Sequence, residues 1–182
     1  MSRVTLIEPV ELPPYLRELH DGARDGDWST QHVARAFAAQ PQLLEDYLRF
    51  YYPWGSNTGS AEGAARLEPR LKELVRLRIA TLNGCVTCKA ARLQQDTLRE
   101  DEAQAVDHLG GAPTYTAREQ AAIAFGEKMA LDHHSIGDAD IRALRELFDE
   151  AELLELMMMA GQFIGFGRML AILQLEVVSC PI

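Results

Sequence analysis

The stretch ELVRLRIATLNGCVTCKAAR, residues 73–92, decides the fold. Its first part completes a strong amphipathic helix predicted from about Leu67 to Leu82, and Asn83-Gly84 ends that helix as a C-cap. A second helix starts at about Cys85 and reaches Leu98. Cys85 and Cys88 then stand three residues apart on one face of its first turn.

Outward from this break the same periodicity recurs. Upstream, helices are predicted from Pro13-Pro14 to near Gly22, over Thr30 to Ala39, and over Pro41 to Tyr52. Gln40-Pro41 marks the joint between the last two. Pro53 to Gly63, PWGSNTGSAEG, reads as the longest loop. Downstream, a short helix near Glu100 to His108 is followed by the loop Gly110-Gly111-Ala112-Pro113. A helix over Ala117 to Leu131 comes next, with Thr116 and Glu119 as a capping box. Asp140 to Phe148 and Glu150 to Glu176 complete the set, the last with a break expected at Gly165 and Gly167. Only Val4 to Ile7 is remotely strand-like. The fold class is therefore all-α, a compact multi-helix bundle.

The bulk numbers set limits on function. The 182 residues suffice for a core without staples, and 47% hydrophobic with 25% charged residues is ordinary for a globular chain. A formal charge of −9 repels a phosphate backbone and an anionic membrane alike, so nucleic acid and membrane surfaces are not expected partners. The N-terminus lacks the pattern of a leader, and the apolar stretch from Leu153 to Leu175 is interrupted by Glu155, Gln162 and Arg168. The expected location is the cytoplasm. Three cysteines cannot make a disulfide framework there, and a close pair points to catalysis or metal. Zinc needs about four ligands, and neither His133-His134 nor Cys180 completes a recognisable set, so no metal or other cofactor is expected.

The pair has its own chemistry. A thiolate is the reactive form of cysteine, and the unpaired N–H groups of a helix start favour it, Cys85 most. A sulfenic acid on one sulfur is within reach of the other, so the two can cycle between dithiol and disulfide. The plainer alternative is two small buried apolar residues without chemistry. Glu73 shares a helix face with Leu77 and Ala80, which points its carboxylate inward and demands a partner.

Taken together, Glu73, eleven intervening residues, Cys85-Val-Thr-Cys88 and the Asn-Gly break resemble the signature of the alkyl hydroperoxidase D-like, or carboxymuconolactone decarboxylase, superfamily. LDHHSIGDADIRALRELF and FIGFGRMLAIL extend the likeness, which runs from Ala61 to Leu175, with Arg168 resembling a family arginine. The resemblance implies a helical core over residues 61–182 and an N-terminal helical extension over residues 1–60. It also implies a thiol-dependent peroxidase in which Cys88 takes the peroxide oxygen, Cys85 resolves it, and an external dithiol resets the pair. A homotrimer or homohexamer is implied as well, with the apolar C-terminal helix as contact surface. On the order of the two sulfurs, dipole and resemblance disagree.

The family histidine after the second cysteine is Arg92 here. Arginine does not release its proton and cannot be a general base. If the two helices fold back at Asn83-Gly84, Glu73 and Arg92 lie about 16 and 12 Å from one corner, which predicts an ion pair between them. As i and i+4 neighbours, Arg92 would also favour the Cys88 thiolate. The candidate site is thus Cys88, Cys85, Glu73 and Arg92, acting on a small hydroperoxide. Tyr51, Tyr52 and Trp54 stand beside the long loop, where core packing is the first expectation and the wall of a pocket the alternative. Met157, Met158 and Met159 read as packing. Two alternatives remain: a decarboxylase-type lyase in which Arg76, Arg78 and Arg92 recognise a carboxylate, and a redox-active helical oligomer without turnover.

Overall fold

The computed structural model describes residues 2–23, 28–90, 92–93, 97–106 and 115–175. Nine α-helices lie among them: α1 (Pro14–Asp21), α2 (Trp28–Phe37), α3 (Pro41–Ser56), α4 (Pro69–Leu82), α5 (Val86–Ala90), α6 (Glu100–Ala105), α7 (Ala117–Asp132), α8 (Asp138–Arg145) and α9 (Glu150–Leu173). No strand occurs among the described residues, so the all-α reading holds. The expected glycine loop at 110–113, Glu176 and Cys180 fall outside them.

Helix α4 is the centre of the molecule, packed against α7, α9, α3 and α5. It was expected to be amphipathic, yet even Lys72, Glu73 and Arg76 are buried, at 1%, 1% and 4% exposure. Its charged side chains face other elements instead of water, and each has an opposite charge to meet it. One apolar cluster joins α4 to α7 and α9 through Leu74, Ile79, Ile123, Met159 and Phe163. A second joins α1 to α3 with the end of α9 through Leu16, Val33, Leu44, Leu48 and Leu170, and it includes Cys85.

The predicted loop at Pro53 begins later. Helix α3 runs through Pro53 to Ser56 and ends on Asn57 in the left-handed region, φ 58°. A proline inside a helix removes one backbone hydrogen bond, but the end of α3 is held from outside. Lys72 Nζ donates to the Trp54 carbonyl, to Asn57 Oδ1 and, at 2.8 Å, to Glu155 of α9. Asn57 in turn donates to the Leu67 carbonyl at 2.8 Å, and Glu155 accepts from the Arg66 backbone N–H at 2.6 Å. This buried network fixes residues 57–68 against α9.

Helix α9 is continuous through Gly165 and Gly167, contrary to the expected break. It is the one described helix long and apolar enough to cross a membrane, but the fold sets it against α4, α7, α3 and α8. Its capping box at Asp149 and Glu152, and that of α7 at Thr116 and Glu119, fix their starts.

Candidate active site

The turn between α4 and α5 is a Schellman motif. The Cys85 N–H donates to the Ala80 carbonyl at 3.0 Å and the Gly84 N–H to the Thr81 carbonyl at 3.1 Å. Gly84 takes φ +64°, which any residue with a Cβ adopts only with strain. The Asn83 side chain is wedged under α9, where it donates to the carbonyls of Phe163 and Ile164 and accepts from Arg168 Nε at 3.2 Å. A Cβ on Gly167 would stand 2.7 Å from Asn83 Nδ2, so a glycine is needed for the turn to reach the helix. Arg168, singled out by resemblance, therefore braces the turn that presents the cysteines.

Cys85 and Cys88 are joined by a disulfide, with Cα atoms 5.3 Å apart. The Lys89 N–H bonds the Cys85 carbonyl at 3.0 Å and the Cys88 N–H bonds Cys85 Sγ at 3.2 Å. Cys85 is thus the N-cap of α5, its sulfur standing where a serine oxygen ordinarily would. It is also fully buried, whereas Cys88 is half-buried. Dipole and access act on different atoms: the helix start favours charge on Cys85, and the opening belongs to Cys88.

The opening is a cavity of about 110 Å³ walled by Leu48, Tyr51, Tyr52, Leu93, Phe166 and Leu170, with Cys88, Thr87 and Arg76 on its lining. Leu19, Thr30 and Val33 of α1 and α2 complete it. The N-terminal helices therefore supply much of the wall. A second cavity of about 20 Å³ shares Tyr51, Arg76, Cys88 and Phe166 with the first. Tyr51 and Tyr52, for which core packing was the first expectation, line the larger cavity instead. Trp54 packs on Phe50, with ring centroids 6.2 Å apart.

Glu73 is brought to this site, but its partner is not Arg92. Both carboxylate oxygens accept from Arg76, at 2.8 Å each, and one accepts from the Leu93 N–H at 3.1 Å. Arg76 Nη1 continues to the Cys88 carbonyl at 2.6 Å. A bidentate pair one turn apart on the same helix forms locally, ahead of any contact across the corner. Arg92 goes elsewhere because α5 ends at Ala90 and does not run to Leu98. Residues 92–93 are outside the helix, so the i, i+4 relation to Cys88 is lost. The Arg92 guanidinium meets Glu100 at 3.1 Å and the Lys89 carbonyl.

Arg76 is the site cation the sequence reading misassigned. Its signal was present in the quoted stretch, as an acid and a base three residues apart on one helix face. The three arginines considered for carboxylate recognition are each engaged with a carboxylate: Arg76 with Glu73, Arg78 with Glu127 at 3.0 Å, and Arg92 with Glu100. His133 and His134 lie against each other, rings tilted by 37° with centroids 4.0 Å apart, on an exposed turn after α7, and line neither cavity. Among the described residues no cluster of three metal-ligating side chains occurs.

Solved structures share this arrangement of helices. The structure of an alkylhydroperoxidase AhpD core, an uncharacterized peroxidase-related protein from Ralstonia eutropha JMP134, superposes with TM-score 0.74 at 19% identity, over 98% of this chain and 93% of that one. The chain has the AhpD-core fold. An uncharacterized peroxidase-related protein from Silicibacter sp. TM1040 matches with TM-score 0.69 at 18% identity, over 97% and 94% of the two chains. A protein of unknown function from Agrobacterium tumefaciens, described as a candidate AhpD antioxidant-defence protein, matches with TM-score 0.61 at 21% identity, over 77% and 93%. No family model and no curated protein matches the sequence. The likeness to the first two extends over the N-terminal helices as well as α4 to α9.

Proposed function

We propose that this protein is a thiol-dependent peroxidase that reduces organic hydroperoxides through Cys88 and Cys85. The observation that carries the reading is the bonded Cys85–Cys88 pair, with Cys88 on the lining of a mostly apolar cavity and beside Arg76. The Cys88 thiolate attacks the terminal peroxide oxygen, the O–O bond breaks, and an alcohol leaves once its alkoxide gains a proton. The sulfenic acid on Cys88 is then attacked by Cys85, which forms the disulfide and releases water. An external dithiol reduces the disulfide and restores both thiols. Such a donor is at hand in the cytoplasm.

Burial of Cys85 and access at Cys88 support the assignment of Cys88 as the attacking sulfur. Arg76 supplies the positive charge that favours its thiolate, the role first given to Arg92. Glu73 holds Arg76 in place. Self-association belongs to the same proposal: Leu154, Met158 and Ile172 of α9 are 62%, 55% and 61% exposed, an apolar row suited to a homo-oligomer.

The test is peroxide loss under a dithiol donor with the reduced protein and an organic hydroperoxide. Wild type should turn over, and Cys88→Ser should not. Cys85→Ser should react once and stop with the Cys88 sulfenic acid trappable by dimedone. Disulfide formation without continued turnover would instead mark a redox partner, and inert thiols would end the proposal.

A further inference from the structure

The peroxidase cycle needs a proton at the leaving oxygen, and Arg92, at the position where the resembling family has a histidine, is turned onto Glu100. Around the smaller cavity the polar side chains besides Cys88 are Tyr51, Arg76 and Gln162. Arginine and glutamine do not give up protons in proteins. Tyrosine does. The space, about 20 Å³, holds roughly one water molecule or the O–O end of a hydroperoxide.

We propose that Tyr51 of α3 donates the proton to the departing alkoxide when Cys88 cleaves the peroxide. The proposal rests on the peroxidase reading above. In the step, the electron pair of the Cys88 thiolate forms the S–O bond to the terminal oxygen, which keeps its hydrogen. The O–O pair leaves on the alkoxide, and the Tyr51 O–H hydrogen passes to it, giving the alcohol and a tyrosinate. Solvent returns to the tyrosinate the proton that Cys88 released on ionising. Cys88 is oxidised and the peroxide reduced by two electrons.

Three features place Tyr51 for this. It lines both cavities with Cys88, so it stands at the head of any chain lying in the larger one. It shares both cavity linings with the Arg76 guanidinium, whose positive charge acts on the phenol and which can only donate. Toward that cation the phenol can offer only its oxygen lone pairs, which leaves its own hydrogen for substrate, and the positive charge steadies a transient tyrosinate. The ring is fixed edge-on to Phe163, with centroids 6.0 Å apart. Burial pushes its ionisation up to about 12, Arg76 opposing, which keeps the donor protonated at every working pH.

The experiment compares leaving groups. Reduced wild type and Tyr51→Phe are each mixed with cumene hydroperoxide, whose alkoxide needs a proton, and with peracetic acid, whose carboxylate does not. Thiol loss is followed in a single turnover. Tyr51→Phe should slow the alkyl hydroperoxide by about a hundredfold and leave the peracid rate unchanged. That unchanged rate also certifies a folded site. Tyr47→Phe, which removes a buried hydroxyl with no partner among the described residues and off both cavity linings, should match wild type with both oxidants. Equal slowing of both oxidants, or of neither, by Tyr51→Phe overturns the assignment and leaves the peroxidase reading standing. Wild type inert to both oxidants overturns that reading, and this one with it.

Discussion

Glu73 and Arg76 are a buried ion pair closed by two hydrogen bonds at 2.8 Å, and removing one member leaves the other charge without its partner in the core. Glu73→Gln is expected to destabilise the protein by about 3–5 kcal/mol, read as a shift in the urea midpoint. Arg92→Ala, which removes a guanidinium paired with a Glu100 side chain 64% exposed, is expected to cost no more than about 1 kcal/mol. Equal losses from the two would refute the division of labour between these arginines. The sequence made Glu73, Cys85 and Cys88 legible because their spacing is fixed within two helices and one turn. It misplaced the cation because that inference needed the end of α5, and nothing in Lys89 to Arg92 announces that the helix stops at Ala90.

Between elements, the contact that matters most is the seat of Asn83 against α9. Gly167→Ala would put a methyl carbon 2.7 Å from Asn83 Nδ2 and force the amide off the Phe163 and Ile164 carbonyls. A loss of about 1–3 kcal/mol is expected, together with faster reduction of the disulfide by dithiothreitol as the turn loosens. A variant with wild-type stability and reduction rate would show that the turn needs no such brace. Starts of helices were easier to read than their ends. Thr116 with Glu119 announces α7 by side-chain chemistry that acts locally. The continuation of α3 through Pro53 depends on Lys72 and Glu155, which are far away in the sequence, so local rules placed the break too early. For the same reason α9 passes through Gly165 and Gly167, since packing against α4 and α7 outweighs the flexibility of two glycines.

Across the whole molecule, acid should act on bridges between helices. Arg70 of α4 meets Glu102 of α6 at 3.0 Å and Glu119 of α7 at 2.8 Å, and Arg118 of α7 meets Glu152 of α9. Hydrogen bonds from Arg70 and Arg118 hold the Glu102 and Glu152 carboxyls below their ordinary value of 4.5. The unfolded chain then takes up protons first as pH falls. The stability these pairs add is complete at neutral pH and is lost as pH drops below about 4.5 through the folded values. Urea midpoints measured from neutral pH down to about pH 3 should fall in that window, and Arg70→Met should flatten the fall. A midpoint flat down to pH 3 would mean that the bridges contribute nothing.

Lys72 adds one practical consequence. The chain has only three lysines, Lys72, Lys89 and Lys128, and the first is 1% exposed with its ammonium enclosed between α3 and α9. An acylating reagent applied to the folded protein should therefore mark Lys128 and Lys89 quickly and spare Lys72. The rate at which Lys72 acquires its tag, followed by mass spectrometry of peptides, becomes a clock for how often residues 57–68 lift away from α9.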